Sequence, residues 1–325
     1  MKKIFNIFVV SLTLVFSTSL LANKIGVIYD SGGKFDKSFN ELAFRTAERV
    51  QNELGWDMLE FEAANSTQIE QGMRKVADRG ATLIVAMGFA QADAVAAIAP
   101  QYPDINFVAV DVCWVDDPAG NIYQACYLEH EGSFLVGMIA AMASTSDTIG
   151  FVGGMDIPLI RKFQGGYEQG ALYVNPNIEI LANMTGTTPE AWNNPTKGAE
   201  LTKAQIDGGA DVVYQAAGGT GIGVLQAAAD AGIYGIGVDT NQNWMHPGSM
   251  LTSMLKRLDL TIFVQAEKTA AGTFEPGIHF LGLADGIVGY ATEDGQVTAE
   301  MQSAVDAAAA EIVSGAITVA DWSQE

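Results

Sequence analysis

Short apolar runs, each closed by glycine or a polar residue and followed by a longer helical pattern, recur along this chain. "KIGVIYD" (24–30) reads as a buried strand, with a helix over about 38–54 behind it. "ATLIVAMG" (81–88) is the next strand and "QADAVAAIAPQY" its helix, and "INFVAVD" (105–111) and "NIYQACYLE" (121–129) extend the series. The pattern restarts after a helical stretch, "EGSFLVGMIAAMAS". It then runs through the strands "TIGFVGG", "IEILANMTG", "ADVVYQAAG" and "IYGIGVD", with helices between them. Strands that are apolar throughout, and not merely on alternate residues, are buried on both faces, as in parallel sheets covered by crossover helices. Two such series, broken near 129–147, predict an α/β chain of two doubly wound domains of similar size. Ligands of such sheets sit beyond the carboxyl ends of the strands.

The residues at those ends are unlike the runs they close. After 24–30 comes "DSGGKFDKSFN", with Asp30, Asp36, Ser38, Phe39 and Asn40 around a predicted helix start. Phe89, Gln91 and Asp93 follow 81–88, Asp111 ends its strand, and Gly218 to Gly221 follow another. Asp239 with "TNQNW" closes the last. Polar, glycine and aromatic residues collect at one end of the strands in both halves, and the site is expected there. Phe39 offers a ring face and Asn40 both donates and accepts. Asp36 or Ser38 reads as the helix N-cap.

Composition narrows the partners. At 325 residues with 49% hydrophobic and 17% charged side chains, the chain can bury a large core with no metal or disulfide needed to hold it together, and no cofactor is expected. Its 17 basic and 38 acidic residues give a net charge of -21, which repels phosphate-rich partners and argues against nucleic acid. "MKKIFNIFVVSLTLVFSTSLLA" has the layout of a secretory signal peptide, with cleavage expected after Ala22. No cysteine follows that run to accept lipid, and later apolar stretches such as 81–99 are broken by Gln91 and Asp93. The expectation is therefore a periplasmic protein, not embedded in the membrane once the signal is removed. Cys113 and Cys126 either pair in an oxidising compartment or stay as two buried thiols.

No catalytic or metal set stands out. His130, His246 and His279 are scattered and belong to no motif with a serine or cysteine nucleophile. "GGTGIG" (218–223) misses the glycine spacing of a dinucleotide fingerprint and has no P-loop lysine, so it reads as a tight strand-to-helix turn. Recognition without chemistry fits better than catalysis.

Five ordered segments then resemble one family. "DSGGKFDKSFN" is similar to the D-x-G-x-x-x-D-x-S-F-N signature of the basic membrane protein family of exported substrate-binding proteins. "GFVGGMDIPLIRKFQGGYEQG", "YQAAGGTGIGV", "GVDTNQN" and "SMLKRLD" (253–259) match further family segments in the same order. The resemblance implies a type I periplasmic binding fold, with two α/β lobes joined by three hinge strands. On it, residues 1–22 are the signal peptide. Residues 23–128 with about 258–287 form one lobe, and 129–257 with about 288–325 the other.

The resemblance also implies a purine nucleoside held between the lobes and delivered to an ABC transporter permease. Phe39 and Trp192, the latter in "WNNPTKG", would sandwich the base. Asn40 would bond its edge, and Asp111 would read the N–H donors of a 6-oxopurine. Asp30 would line the cleft, Asp239 and Lys256 would hold the ribose hydroxyls, and Gly219 would lie near the sugar. The competing readings are a sugar or other small polar solute in the same cleft, a nucleoside-hydrolysing enzyme, and a ligand sensor acting on another partner.

Overall fold

The computed structural model describes residues 22–63 and 65–324. The expected leader, apart from Ala22, lies outside them. Two sheets carry the fold. The first contains β1 (Lys24–Tyr29), β2 (Asp57–Glu62), β3 (Leu83–Met87), β4 (Asn106–Val110), β5 (Ile122–Tyr127) and β11 (Gly277–Leu281). They lie in the order β11-β5-β4-β3-β1-β2, and every pairing is parallel.

The second sheet contains β6 (Thr148–Met155), β7 (Glu179–Gly186), β8 (Val212–Ala216), β9 (Tyr234–Asp239), β10 (Met250–Lys256) and β12 (Val288–Tyr290). Its order is β12-β10-β9-β8-β6-β7, parallel except for β12 against β10. The two orders match position for position, so β4 of one sheet corresponds to β9 of the other.

Helices cover both faces of each sheet. Those among the described residues are α1 (Phe39–Leu54), α2 (Ser66–Asp78), α3 (Ala92–Ile98), α4 (Glu129–Ala143), α5 (Pro158–Val174), α6 (Pro195–Asp207), α7 (Gly221–Asp230), α8 (Leu258–Ala271) and α9 (Ala299–Ser314). The two-sided burial shows in β1. Val27 packs with Val85 and Val108 beneath α1 and α8, while Ile28 packs with Ile84 and Phe107 beneath α2 and α3. All five residues of β3 are buried, which is why its sequence shows no polar alternation. The apolar runs read above do not include β2 (DMLEFE). It is an edge strand, and only Leu59 of it is fully buried.

The chain crosses between the sheets three times, at β5 to α4, β10 to α8 and β11 to β12. These crossings lie side by side. The Leu128 N–H donates to the Leu281 carbonyl (2.9 Å) and the Arg257 N–H to that of Ile287 (2.7 Å). The α4–α5 pair is the tightest helix contact of the second lobe. A Cβ at Gly170 would lie 1.9 Å from the Phe134 carbonyl oxygen, and one at Gly166 2.2 Å from that of His130. "QGGYEQG" is therefore a helix face that brings two backbones together.

Cys113 and Cys126 form a disulfide, with Cα atoms 5.7 Å apart. It fastens the loop after β4 to β5.

Candidate functional site

The carboxyl ends of both sheets face one cavity between the lobes. Its lining combines apolar and aromatic side chains with four aspartates. Asp30, Phe39, Asp111, Trp192, Asp239 and Lys256, all picked out in the sequence, line it.

From the first lobe, Asp30 follows β1 and bends back, and its Oδ1 accepts the Gly32 N–H (2.8 Å) and the Asn40 amide. Three residues before α1, the Asp36 carboxylate accepts the backbone N–H groups of Ser38, Asn40 and Glu41. That cap satisfies the orphan donors of the helix start and presents Phe39, the first helical residue, to the cavity. Asp36 lines the cavity too, so it is both cap and wall.

Asn40 is placed differently from its expected role. Its side chain is fully buried behind Asp30, accepting from the Asp30 N–H (3.2 Å) and donating to Asp30 and to the Gly33 carbonyl. It is not among the lining residues, and it holds Asp30, which is. Gly219 is likewise one layer back, since a Cβ there would lie 3.2 Å from the Trp192 carbonyl and 3.3 Å from that of Gly32. Gly218 is the glycine that lines the cavity.

The two lobes offer matching carboxylates. Asp111 follows β4 at φ 62° and Asp239 ends β9 at φ 66°, both in the left-handed region uncommon for non-glycine residues. Ser38 donates its hydroxyl to Asp239 and to the Val238 carbonyl, and Gln242 donates to the Lys37 carbonyl (2.9 Å). The lobes are thus closed against each other. Trp192 ends a short 3-10 turn (Pro189–Trp192), and its ring fills the space a Cβ of Gly154 would need. The Thr220 hydroxyl donates to the Ala191 carbonyl (2.7 Å) and fixes that turn.

Lys256, the last residue of β10, is the one cation that lines the cavity among the described residues. The resemblance pairs it with Asp239. In the structure its ammonium instead sits on Asp111 Oδ1 (2.6 Å) and Glu129 Oε1 (3.0 Å), 5.3 Å from the Phe39 ring centroid. Burial alone would lower the ammonium's pKa, but Asp111, Glu129 and Asp239 outweigh it and hold it above the ordinary value. Burial raises Asp30, Asp111 and Asp239, and pushes Asp36 up to about 7 against its three N–H donors. Protonation at these carboxyls is thus favoured over the ordinary case. A ligand bringing N–H and O–H donors would satisfy them as carboxylates, whereas an anion would meet repulsion.

Phe163 and Ile160 of α5 and Phe89 after β3 also line the cavity. Phe89 is legible as a residue at a strand's end, but nothing in a helical pattern separates a cavity-facing Phe163 from a core one. Among the described residues, no cluster of three or more His, Cys, Asp or Glu side chains is suited to a metal ion. Nor is any helix long and apolar enough to cross a membrane.

Residues 22–323 match the family model described as ABC transporter substrate-binding protein, PnrA-like. The chain is 31% identical over 304 residues to basic membrane protein A2 of Borrelia garinii subsp. bavariensis, covering 91% of this chain and 88% of that one. It is 30% identical over 319 residues to the ABC transporter nucleoside-binding protein BmpA of Lactococcus lactis subsp. cremoris, covering 91% and 88% respectively. Among solved structures, an ABC transporter solute-binding protein from Aeropyrum pernix K1 superposes with a TM-score of 0.82 at 26% identity. That match covers 92% of this chain and 93% of the other.

Proposed function

This chain belongs to the Bmp family, the PnrA-like substrate-binding proteins of ABC transporters, and on that footing we propose that it captures a purine nucleoside and delivers it to a membrane permease. The observation that carries the reading is the pairing in one closed cavity of aromatic faces from opposite lobes, Phe39 and Trp192, with Asp30, Asp111 and Asp239. A base has two faces for the rings, and a nucleoside has hydroxyl and ring N–H donors for the carboxylates. Lys256 occupies only Oδ1 of Asp111, which leaves Oδ2 to accept from the N1–H of guanosine or inosine. Adenosine has no hydrogen there and would leave the carboxylate unanswered.

The two moving bodies are residues 23–128 with about 258–287, and 129–257 with about 288–325. They open and close about the three crossings, and no bond of the ligand is made or broken. The protein acts after export, in the periplasm, a reading with which the Cys113–Cys126 disulfide accords.

The test is inosine binding by the wild type, Phe39→Ala and Asp239→Ala. Each substitution is expected to weaken binding by about 1–2 kcal/mol, the scale of a lost stacking face or a buried charged hydrogen bond. Wild-type affinity in both variants would remove the site from this cavity.

A further inference from the structure

Lys256 is held at the cavity by a chain of charges that runs out of it. Glu129, the first residue of α4, is fully buried and lies between two lysines, with Lys256 Nζ 3.0 Å from Oε1 and Lys162 Nζ 2.9 Å from Oε2. Lys162 comes from α5 and is not among the cavity-lining residues. Its ammonium also donates to the carbonyl of Tyr127 (2.6 Å), the last residue of β5, and has Asp321 Oδ2 at 3.9 Å. The sequence Lys162–Glu129–Lys256–Asp111 therefore links α5 of the second lobe to the loop after β4 of the first. It passes through two of the three hinge crossings, those at β5–α4 and β10–α8.

The charges along this chain balance, two carboxylates against two ammonium groups. Removing one would leave another buried without its partner, which costs more than the pair contributes while intact. The arrangement also divides the work. Asp111 alone would draw Lys256 toward the first lobe, and Glu129 draws it back to the hinge. Lys162 meanwhile fixes Glu129 and clamps the end of β5 where the chain crosses over.

We propose that Glu129 and Lys162 are positioning residues, which hold Lys256 in its binding posture and stabilise the closed hinge, so that they set how slowly a bound ligand leaves. This rests on the cavity being the ligand site. Neither residue need touch the ligand.

The experiment follows inosine association and dissociation by stopped-flow tryptophan fluorescence, with Trp192 as a reporter in the cavity. The proteins are the wild type, K162Q, K162R, E129Q and the double variant E129Q/K162Q. K162Q is expected to speed dissociation about tenfold and leave association within about twofold, as for loss of the Lys162 clamp on the Tyr127 carbonyl of the first lobe. K162R, which keeps the charge, should recover part of the loss, a result that mere damage to packing does not give. In the E129Q background, K162Q should add little, because its partner is already gone.

A folded K162Q with wild-type dissociation would overturn the proposal, as would full additivity in the double variant. Should E129Q fail to fold, K162Q and K162R still decide. If the wild type does not bind inosine, the nucleoside reading falls separately, and small-angle scattering of the same proteins tests the hinge clamp. K162Q more extended than wild type would support it, and identical profiles would refute it.

Discussion

Asp36 does two things that pull its protonation in opposite directions. As a cap it accepts three backbone N–H groups, which favours the carboxylate, yet burial wins and its pKa rises to about 7. The sign follows from linkage. Between about 4, the ordinary value, and about 7, the folded protein holds a proton that the unfolded chain has released, so Asp36's contribution to stability falls as pH rises. Asp36→Asn has no such proton. Urea unfolding of the ligand-free proteins should therefore show the aspartate's advantage over asparagine shrinking from pH 4 to 7 and constant above. A flat difference across that window would mean the carboxyl is ionised throughout. The residues of this site that can be read in the sequence are those that interrupt an apolar run. Asp30, Asp111 and Asp239 each end a buried strand where a core would place no charge. Asn40 and Gly219 stand beside such positions, but which of two neighbours faces the cavity depends on the turn, and their spacing does not fix it. Glu129 gives no signal at all, because its partners Lys162 and Lys256 lie 33 and 127 positions away in sequence.

At the scale of elements, the α4–α5 contact carries the sharpest stability expectation. Gly170→Ala would set a methyl 1.9 Å from a backbone oxygen, which no rotamer change relieves, so the helices must part. The expected cost is about 2 kcal/mol in denaturant unfolding, the usual scale for overpacking a core. An unchanged midpoint would show that the helices slide past each other freely. Central elements such as β3, β4, β8 and β9 announce themselves because burial on both faces removes polar residues from them. β2, β11 and β12 lie at or next to sheet edges, are half exposed and read as ordinary loop sequence. Nor does alternation say which sheet a strand joins. That α8 and β11 return to the first lobe after β10 is a fact of long-range pairing. Only the family resemblance carried it at the level of sequence.

At the scale of the whole molecule, a two-lobed fold encloses an acidic, aromatic-walled cavity, the form of a capture device. The closed form gathers four carboxylates and one ammonium into a small space, an arrangement that costs free energy until donors arrive. Binding and closure should therefore be a single linked event, and the ligand that closes the lobes best should be the one whose donors answer the most carboxylates. The measurement that tests this most directly is calorimetric titration of protein unfolded, refolded and thereby stripped of ligand. It uses guanosine, inosine, adenosine, uridine and free ribose. Tight binding of guanosine and inosine is expected, with weaker binding of adenosine and no measurable heat with ribose. Silence from every purine, or ribose binding as tightly as a nucleoside, would contradict this and turn the same cleft over to another solute.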